Sequence, residues 1–491
     1  MEWLDETWRI VSNWGTAIAS IIYGATILFI VTLIILENRH PVKTIAWVLV
    51  LVLLPVLGII HYLFFGIEYR KRKLFSRKEL KDLQRMERFS QIQLKFLPDN
   101  KYLEDPDIRA KRHIITLLLN NSKAILTRHN HVEILQNGSA TFSEIIEAIK
   151  SAKEHIHIEY YIYSDDKIGN KIKDLLIEKA EQGVQVRFIY DSVGSWGLKR
   201  KFRKSLKDAG VEIYPFLPVK FPLFASKINY RNHRKIVVVD GKIGFVGGVN
   251  IADRYAEGHP KIGFWRDTHL KVQGDAVHSL QSVFLTDWYF SSKQVVQGLS
   301  YFPHHEIEEN HLVQITASGP DSDWASIMQA YFSAIATAKD HVYISTPYFI
   351  PNESILTALK SAAMSGVDVR LLLPSKSDVG IYLWSSQSYV EILLESGVKV
   401  YFYDKGLNHG KIMMVDGVFA SVGTANMDIR SFDQNFEVNA LVYDKEITQL
   451  LENDFLEDLE DSTRIYLETY SKRPLRHKVR ESLSRIFSPL L

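Results

Sequence analysis

Two segments of the chain carry the same set of residues that could perform chemistry. Both follow the pattern H-x-K-x4-D-G, and a V-G-[GT]-x-N segment follows each of them. The six motif residues are His233, Lys235 and Asp240 in the first segment and His409, Lys411 and Asp416 in the second. The spacing between the two sets is constant, since 409 − 233, 411 − 235 and 416 − 240 all equal 176. Two copies in register indicate a duplicated functional unit rather than chance matches.

Two histidines and two lysines suit transfer at a phosphodiester. In-line displacement at phosphorus needs a nucleophile on one side and a proton donor behind the leaving oxygen on the other. Imidazole, with an ordinary pKa of about 6.5, can serve in either role. Lysine and asparagine side chains can stabilise the charge on the non-bridging oxygens without a metal. Because neither copy holds both histidines, we predict one shared site across a pseudo-two-fold axis.

The other motif residues are predicted to shape this site. Asp240 and Asp416 each precede a glycine between two β-rich runs, so we expect them to fix a hairpin turn and to have a structural role. Residues of the following segments are expected to face the phosphate, through a close approach of the backbone or as helix N-caps. These phosphate-binding candidates are Gly248 and Asn250 in the first copy and Thr424 and Asn426 in the second.

Three further pairs of segments extend the repeat beyond the motifs. They are 156–161 with 342–347, 183–191 with 366–374, and 210–216 with 397–403. Each is a β-rich run beside a helical segment, which predicts an α/β fold with mixed, largely parallel sheets flanked by helices. We place the two duplicated domains at about 131–297 and 313–470, with a linker at 298–312 between them.

Two long uncharged segments lie near the N-terminus, at 14–36 and 44–67. As helices they would each be about 35 Å long, enough to cross a hydrocarbon core of about 30 Å. We therefore predict that 1–69 forms a two-helix transmembrane hairpin, followed by a basic linker and helical segment at 70–130. The lysines and arginines of 70–81 outnumber those of the loop between the helices, which predicts a cytoplasmic position for the catalytic domains.

These motifs resemble the phospholipase D superfamily and, within it, the bacterial cardiolipin synthases. Besides the duplicated motifs, the resemblance rests on segments 41–47, 54–58, 229–235, 265–269, 431–437 and 488–491, and it covers nearly the whole chain. It implies a bacterial membrane enzyme with two phospholipase D-like domains and no cofactor or metal. The implied reaction converts two phosphatidylglycerols into cardiolipin and glycerol through a phosphatidyl-histidine intermediate.

The resemblance also implies roles for single residues. By analogy with relatives that carry two motifs, His233 is expected to be the nucleophile and His409 the acid–base, although the sequence alone leaves that order open. In such relatives a carboxylate further along the chain supports each histidine. Asp267, 34 residues after His233, and Glu437, 28 residues after His409, match those positions. Solvent-exposed charges are the alternative interpretation of both.

Other functions fit parts of the pattern. A phospholipase D-type hydrolase, or a phosphatidyltransferase with another alcohol acceptor, would use the same residues. A nuclease is disfavoured by the formal net charge of only +2 and by the predicted hairpin. A membrane scaffold without catalysis would leave both motifs unexplained. The expected partners are therefore phosphatidylglycerol and anionic membrane lipids, with no nucleic acid, and the absence of cysteine excludes thiolate chemistry.

Three segments outside the motifs leave alternatives open. The aromatic and proline-rich loop at 214–224 fits either a membrane-interfacial or a buried loop. The basic C-terminal segment at 471–491 carries an apolar stripe of Leu475, Val479, Leu483 and Ile486. Such a helix either lies on a membrane or packs on its own domain, and the second outcome is the commoner one. His304, His305 and Glu306 match no metal signature and are predicted to lie in a solvated loop.

Overall fold

The computed structural model describes residues 2–36, 41–54, 57–59, 62, 81–97, 99, 103–219 and 229–488. The chain divides into two compact units, one formed by 1–69 with 220–229 and the other by 70–219 with 230–491. The loop predicted at 214–224 is described only as far as residue 219. Most of the basic cluster at 70–81 also lies outside the described residues, and its predicted role is not addressed by the fold.

The first unit contains helices α1 (Glu2–Leu36) and α2 (Pro41–Leu53). Within the described residues, one helix is long and apolar enough to cross a membrane, at Asn13–Leu36. The second predicted span, 44–67, is helical to Leu53 and again at 57–59, while several residues beyond lie outside the described part. With 13 residues, α2 is about 20 Å long, which is shorter than a hydrocarbon core. Ile34 of α1 and Leu51 of α2 are buried in the same small apolar cluster.

The catalytic unit begins with short helices and then forms the first copy of the repeat. Its initial elements are α3 (Lys81–Phe96), α4 (Pro106–Ala110), α5 (Arg112–Asn121) and β1 (Leu126–Thr127). The first copy contains β2 (Asn130–Gln136), α6 (Asn137–Ser151), β3 (His155–Tyr160), α7 (Lys167–Glu181), β4 (Gln185–Asp191), α8 (Arg200–Asp208), β5 (Glu212–Phe216), β6 (Lys235–Val239), β7 (Ile243–Gly247), α9 (Arg254–Glu257), β8 (Phe264–Arg266), β9 (Thr268–Gly274) and α10 (Ala276–Ser292).

The second copy repeats these elements after a 3-10 turn at Leu299–Tyr301. It contains β10 (Leu312–Ser318), α11 (Ser326–Ala336), β11 (His341–Ser345), β12 (Phe349–Ile350), α12 (Glu353–Met364), β13 (Asp368–Pro374), α13 (Gly380–Gln387), α14 (Val390–Glu395), β14 (Lys399–Tyr403), β15 (Gly406–Asn408), β16 (Ile412–Val415), β17 (Phe419–Gly423), β18 (Met427–Asp428), α15 (Ile429–Asp433), β19 (Glu437–Tyr443), α16 (Lys445–Glu460), β20 (Ser462–Ile465), α17 (Leu467–Tyr470) and α18 (Leu475–Ile486).

The two sheets have the same internal order. The first runs β2-β9-β7-β6-β3-β4-β5, and the second contains the equivalent series β10-β19-β17-β16-β11-β13-β14 between the edge strands β1 and β20. In each series only the pairs corresponding to β3–β4 and β4–β5 are parallel. The sheets are mixed, as predicted, but the expectation that they are largely parallel is wrong, because most pairs are antiparallel. The reason is that the motif hairpin and the strand after it return antiparallel beside the parallel βαβ units.

The two sheets pack face to face, with helices on their outer faces. In β6, Ile236 and Val238 enter an apolar core that contains strands of both sheets, whereas Val237 and Val239 face the outer helices. Successive side chains of a strand point to opposite faces, so a strand that is buried on both sides becomes an unbroken apolar run. The run Ile-Val-Val-Val after Lys235 therefore reflects the position of the catalytic hairpin in the centre of the molecule.

The aspartates of the two motifs hold the hairpin turns. Asp240 and Gly241 have φ angles of 53° and 65°, which matches the turn type in which both central residues are left-handed. The Asp240 carboxylate accepts hydrogen bonds from the backbone amides of residues 153, 154 and 155, at 2.8, 2.8 and 2.9 Å. Asp416 makes the equivalent contacts to residues 339–341. Both aspartates thus join the hairpin to the start of a neighbouring strand, which is the structural role predicted for them.

Asp416 is expected to stabilise the fold in a pH-dependent way. Burial disfavours its ionised form, but Lys111, 2.6 Å away, and the backbone amides outweigh this effect and lower the pKa of the carboxyl. A group whose pKa is lowered by folding contributes stability above its unfolded value, about 3.9, and loses the contribution as the pH falls. Asp416→Asn should therefore lower the free energy of unfolding by about 2 kcal/mol at pH 7, and by less near pH 3. Thermal unfolding at both pH values measures this difference.

The control for this prediction is Asp323→Asn, because Asp323 is an exposed aspartate far along the chain from the hairpin. Its replacement should leave the thermal midpoint unchanged at either pH. If Asp416→Asn lowers the stability equally at pH 3 and pH 7, the negative charge of Asp416 does not contribute to its contacts with Lys111 and the amides.

Candidate active site

Each motif histidine is held in position by the opposite copy. The backbone N–H of His233 donates to the carbonyl of Phe436 at 2.9 Å, and that of His409 donates to the carbonyl of Arg266 at 2.7 Å. Just before His409, β15 pairs in parallel with β8 of the first copy. An isolated bridge between Asn232 and Phe436 is the equivalent pairing in front of His233. These reciprocal contacts are the arrangement expected of a pseudo-two-fold axis.

The supporting carboxylates are also exchanged between the copies. Glu437 Oε2 lies 3.0 Å from Nδ1 of His233, and Asp267 Oδ2 lies 2.7 Å from Nδ1 of His409. The resemblance placed each carboxylate with the histidine that precedes it in the same copy, and the structure pairs them the other way. Because Nδ1 of each ring is engaged by a carboxylate, Nε2 is the nitrogen left for chemistry, and at His409 it also lies 3.3 Å from Nζ of Lys411.

The motif lysines lie beside the histidines rather than in open solvent. Lys235 Nζ donates to the backbone carbonyl of His233 at 2.7 Å, and Lys411 Nζ donates to that of His409 at 2.6 Å. Lys411 Nζ is also 2.9 Å from Nδ1 of His409. Both lysines are buried, and each ammonium group lies within hydrogen-bond distance of the histidine two residues before it. Their role in stabilising phosphate oxygens stays a prediction.

Burial sets the protonation of these groups. It lowers the pKa of His233 to about 4 against the opposing effect of Glu437, and it lowers the pKa of His409 well below its ordinary value, with Lys411 adding to the effect. The free site therefore favours two neutral imidazoles. Burial also lowers the pKa of Lys235 to about 7 and that of Lys411 to about 8. A phosphodiester anion would raise all four pKa values, because it favours the charged forms.

We expect these lysines to produce an alkaline limb in the pH profile. As the pH rises through about 7 to 8, Lys235 and then Lys411 lose their protons in the free protein, and kcat/KM should fall. The limb of kcat should lie at higher pH, because the bound anion raises the lysine pKa values. Initial rates between pH 5 and 10 with varied substrate concentration measure both limbs. Coincident limbs for kcat and kcat/KM would contradict the assignment of the lysines to phosphate binding.

Gly248 and Thr424 approach the carboxylates and not an open ligand space. A Cβ on Gly248 would clash with the carboxylate of Asp267. The Thr424 hydroxyl donates to Oε2 of Glu437 at 2.5 Å, and its carbonyl lies 3.0 Å from Nδ1 of His233. The sequence predicted a close approach of the backbone to a phosphate. In the structure, these residues instead lie close to the carboxylates that orient the histidines.

Asn250 and Asn426 are not the predicted helix N-caps. The residues at those caps are Asp253, before α9, and Asp428, before α15. Asn250 accepts from the backbone N–H of Ile162 at 3.1 Å and donates to the hydroxyl of Tyr255. Asn426 donates to Asp428 at 3.1 Å. Both asparagines nevertheless line the cavity in which the two histidines meet.

This cavity has a volume of about 350 Å³ and is formed by both copies. Besides the two histidines and the two asparagines, it is lined by Tyr161, Ile162, Arg231, Arg254, Tyr255, Tyr348, Asp378, Val379, Tyr382, Asp428, Arg430 and Asn435. Its charged lining consists of three arginines and two aspartates, so a phosphate group in the cavity would have arginine donors near it. Arg254 and Arg430 lie at equivalent positions, four residues after Asn250 and Asn426, and this shared spacing is the signal that could have identified them. Arg231 belongs to the segment 229–235, but the sequence predicted no function for its side chain.

Among the described residues, no group of three or more His, Asp or Glu side chains is arranged to hold a metal ion. His305 packs on His278, with the two Nε2 atoms 2.9 Å apart, while His304 and Glu306 are exposed. The linker histidines therefore lie in a largely solvated segment, as their spacing predicted.

Comparison with known proteins identifies the family to which this chain belongs. The model of the cardiolipin synthase PLD-like domain matches residues 145–288 and 331–459, one match in each copy, and a phospholipase D-nuclease N-terminal model matches 24–66. This chain belongs to the cardiolipin synthase family. It is 46% identical to cardiolipin synthase 2 of Bacillus anthracis over 463 residues, which cover 93% of this chain and 88% of that protein. It is 42% identical to the major cardiolipin synthase ClsA of Bacillus subtilis over 482 residues, which cover 97% and 99%.

Among solved structures, the phosphatidylserine synthase of Haemophilus influenzae Rd KW20 shares the fold. The TM-score is 0.60 at 13% sequence identity, and the match covers 79% of this chain and all of that chain. The duplicated architecture of this cardiolipin synthase family member is therefore found in a protein of very different sequence.

Proposed function

We propose that this chain is a cardiolipin synthase, a phosphatidyltransferase that converts two phosphatidylglycerols into cardiolipin and glycerol. The observation that carries the proposal is the meeting of both motif histidines in one cavity lined by three arginines, with the motif lysines buried beside them, in a chain that is 42–47% identical to named cardiolipin synthases over nearly its full length. The family implies phospholipid substrates. The choice of phosphatidylglycerol as both donor and acceptor is what the resemblance to bacterial cardiolipin synthases implies.

In the proposed first half-reaction, Nε2 of His233 attacks the phosphorus of one phosphatidylglycerol. A phosphorus–nitrogen bond forms as the bond from phosphorus to the glycerol oxygen breaks, and His409 donates the proton that leaves with glycerol. For this role His409 must be protonated in the complex, and the phosphodiester anion favours that form. Lys235 and Lys411 stabilise the charge on the non-bridging oxygens.

In the second half-reaction, a hydroxyl of another phosphatidylglycerol loses its proton to His409 and attacks the same phosphorus. The phosphorus–oxygen bond of cardiolipin forms, the bond to His233 breaks, and the free imidazole returns. Glu437 and Asp267 orient the two rings by accepting from Nδ1. One acid–base residue thus serves both half-reactions, and the transfer is reversible because it exchanges one phosphodiester for another.

The N-terminal apolar helix and the bacterial relatives indicate association with a membrane. We further propose that 1–69 crosses the bacterial cell membrane as a two-helix hairpin, with the catalytic domains in the cytoplasm. The contact between Ile34 and Leu51 in one apolar cluster and the N-terminal family match at 24–66 support the hairpin. The charge difference between the two flanking segments supports the orientation.

The test is a product assay with the full-length chain in mixed micelles that contain labelled phosphatidylglycerol and excess chelator. Formation of cardiolipin and glycerol in equal amounts would support the proposal. Phosphatidic acid would show that water is the acceptor and would move the function to hydrolysis. Loss of turnover on chelation would overturn a mechanism that uses only protein side chains.

A further inference from the structure

The last helix, α18, carries an apolar stripe that faces away from the protein. Leu475 and Ile486 are 75% and 70% exposed, whereas Glu481 and Ser484 on the opposite face are buried. The sequence favoured packing of this stripe on the domain. The helix does pack on the domain, chiefly on α13, but with its polar face.

Polar contacts fix this orientation. Arg473, just before the helix, lies 2.8 Å from Glu481 and 2.6 Å from Glu391. Beyond the helix, the hydroxyls of Ser488 and Ser385 are 3.0 Å apart. Because both ends of α18 are held by such contacts, the helix has a fixed orientation on the domain. The stripe is therefore exposed by the fold, and not because the C-terminal end is loosely attached.

The exposed stripe and α13 together form an apolar groove. The groove has a volume of about 560 Å³, and Ile381 and Trp384 of α13 contribute to its lining. Val379 and Tyr382, which alternate along the chain with Ile381 and Trp384, line the catalytic cavity. We call the residues of α13 and α18 that line the groove the C-terminal platform: they are Ile381, Trp384, Leu475, Arg476, Val479, Arg480, Leu483, Ser484 and Phe487. The platform and the catalytic cavity therefore share one helix.

Basic side chains surround the stripe. Within the described residues, Arg476, Lys478, Arg480 and Arg485 form no ion pair with a carboxylate, and Glu481, the one acidic residue of the helix, is already paired with Arg473. The guanidinium of Arg480 lies 4.5 Å from the ring of Trp384. An apolar face bordered by unpaired cations is complementary to a surface that offers acyl chains below a layer of negative charge.

We infer that the C-terminal platform docks on the headgroup region of an anionic phospholipid bilayer, with the stripe inserted among the acyl chains and the arginines at the phosphates. Docking would hold the catalytic cavity against the same surface, since α13 belongs to both. That last consequence rests on the proposed function, because only a lipid substrate needs the cavity at a bilayer. The docking itself does not depend on it.

Insertion can be measured directly, because the chain has no cysteine of its own. A single cysteine at Leu483, labelled with an environment-sensitive dye in the full chain, should give a blue-shifted emission in phosphatidylglycerol vesicles and should be quenched by lipids labelled in the acyl chain. Leu299→Cys is the matched control, since Leu299 is 79% exposed and lies outside the platform. Its dye should remain water-exposed in the same vesicles.

Both effects at position 483 should weaken in phosphatidylcholine vesicles and at high salt. Equal emission and quenching at positions 483 and 299 in phosphatidylglycerol vesicles would overturn the inference. The inference would also be overturned if the dye at position 483 were shielded from water only after a membrane protein was added. A protein partner would then be what covers the platform.

Activity provides the second measurement. Leu483→Ser with Ile486→Ser, and separately Arg476→Glu with Arg485→Glu, should each lower turnover of phosphatidylglycerol in vesicles by about tenfold. Turnover of a short-chain phosphatidylglycerol kept monomeric should change by less than about twofold, because it needs no docking. Leu299→Ser and Lys171→Glu are the controls for the loss of an apolar and a basic surface side chain.

Equal losses on vesicles and monomers would overturn the inference and assign the platform to the stability of the catalytic unit. If the wild type forms no cardiolipin from either substrate, the proposed function fails. The quenching comparison still decides the docking in that case, so the two failures can be told apart.

Discussion

Replacing either His233 or His409 with alanine is expected to lower cardiolipin formation by at least about 10⁴-fold. The two histidines line one cavity, and each half-reaction uses both of them. Without His233 no covalent intermediate forms, and without His409 the departing glycerol receives no proton. Turnover of labelled phosphatidylglycerol by the two variants measures the losses, and His304→Ala, a change of an exposed histidine in the linker, should retain full activity.

An activated substrate should separate the two roles. Nitrophenolate leaves without a proton, so phosphatidyl-nitrophenol needs a nucleophile but no acid. The His409→Ala variant should therefore release about one equivalent of nitrophenolate in a burst and accumulate a phosphatidyl adduct on His233. The His233→Ala variant should show neither. A burst from His233→Ala but not from His409→Ala would reverse the assignment of nucleophile and acid–base.

The sequence identified the reacting histidines and lysines, but it did not show which carboxylate supports which histidine. Two H-x-K pairs predict a shared site because neither copy is complete alone, and the structure brings His233 and His409 into one cavity. The distance along the chain from His409 to Glu437 contains no information about which copy the carboxylate faces. That pairing depends on Asn232 and Phe436 meeting across the interface between the copies, which is a tertiary contact.

Other differences have similarly local causes. The Asp-Gly turn at 240–241 predicted an antiparallel hairpin, but the alternation of strands and helices elsewhere suggested a parallel sheet, and only two pairings of each series follow it. Asn250 loses the predicted cap position to Asp253, which lies closer to the start of α9. For α18 the periodicity located the apolar stripe, while the polar contacts of Arg473 determined which face packs on the protein.

The exchanged carboxylates give the second large effect. Because Glu437 orients the ring of His233, Glu437→Gln should behave like the loss of His233, with turnover lowered by about 10²- to 10⁴-fold and no burst with phosphatidyl-nitrophenol. Asp267→Asn should behave like the loss of His409, with a similar loss of turnover but a retained burst and a stable adduct. In the burst assay, Glu437→Gln should therefore resemble His233→Ala, and Asp267→Asn should resemble His409→Ala. Each of these two pairs joins residues from different copies.

The same assay distinguishes a positioning role from a general loss of structure. Glu437→Asp keeps the charge and should restore part of the burst, whereas Glu437→Gln with a normal thermal midpoint should not. Glu452→Gln is a matched control, since Glu452 is a buried carboxylate that lies 2.7 Å from the ring of His341, and neither residue lines the cavity. If Glu437→Gln retained the burst and Asp267→Asn lost it, each carboxylate would act on the histidine of its own copy. The reciprocal exchange of residues between the copies would then have no part in catalysis.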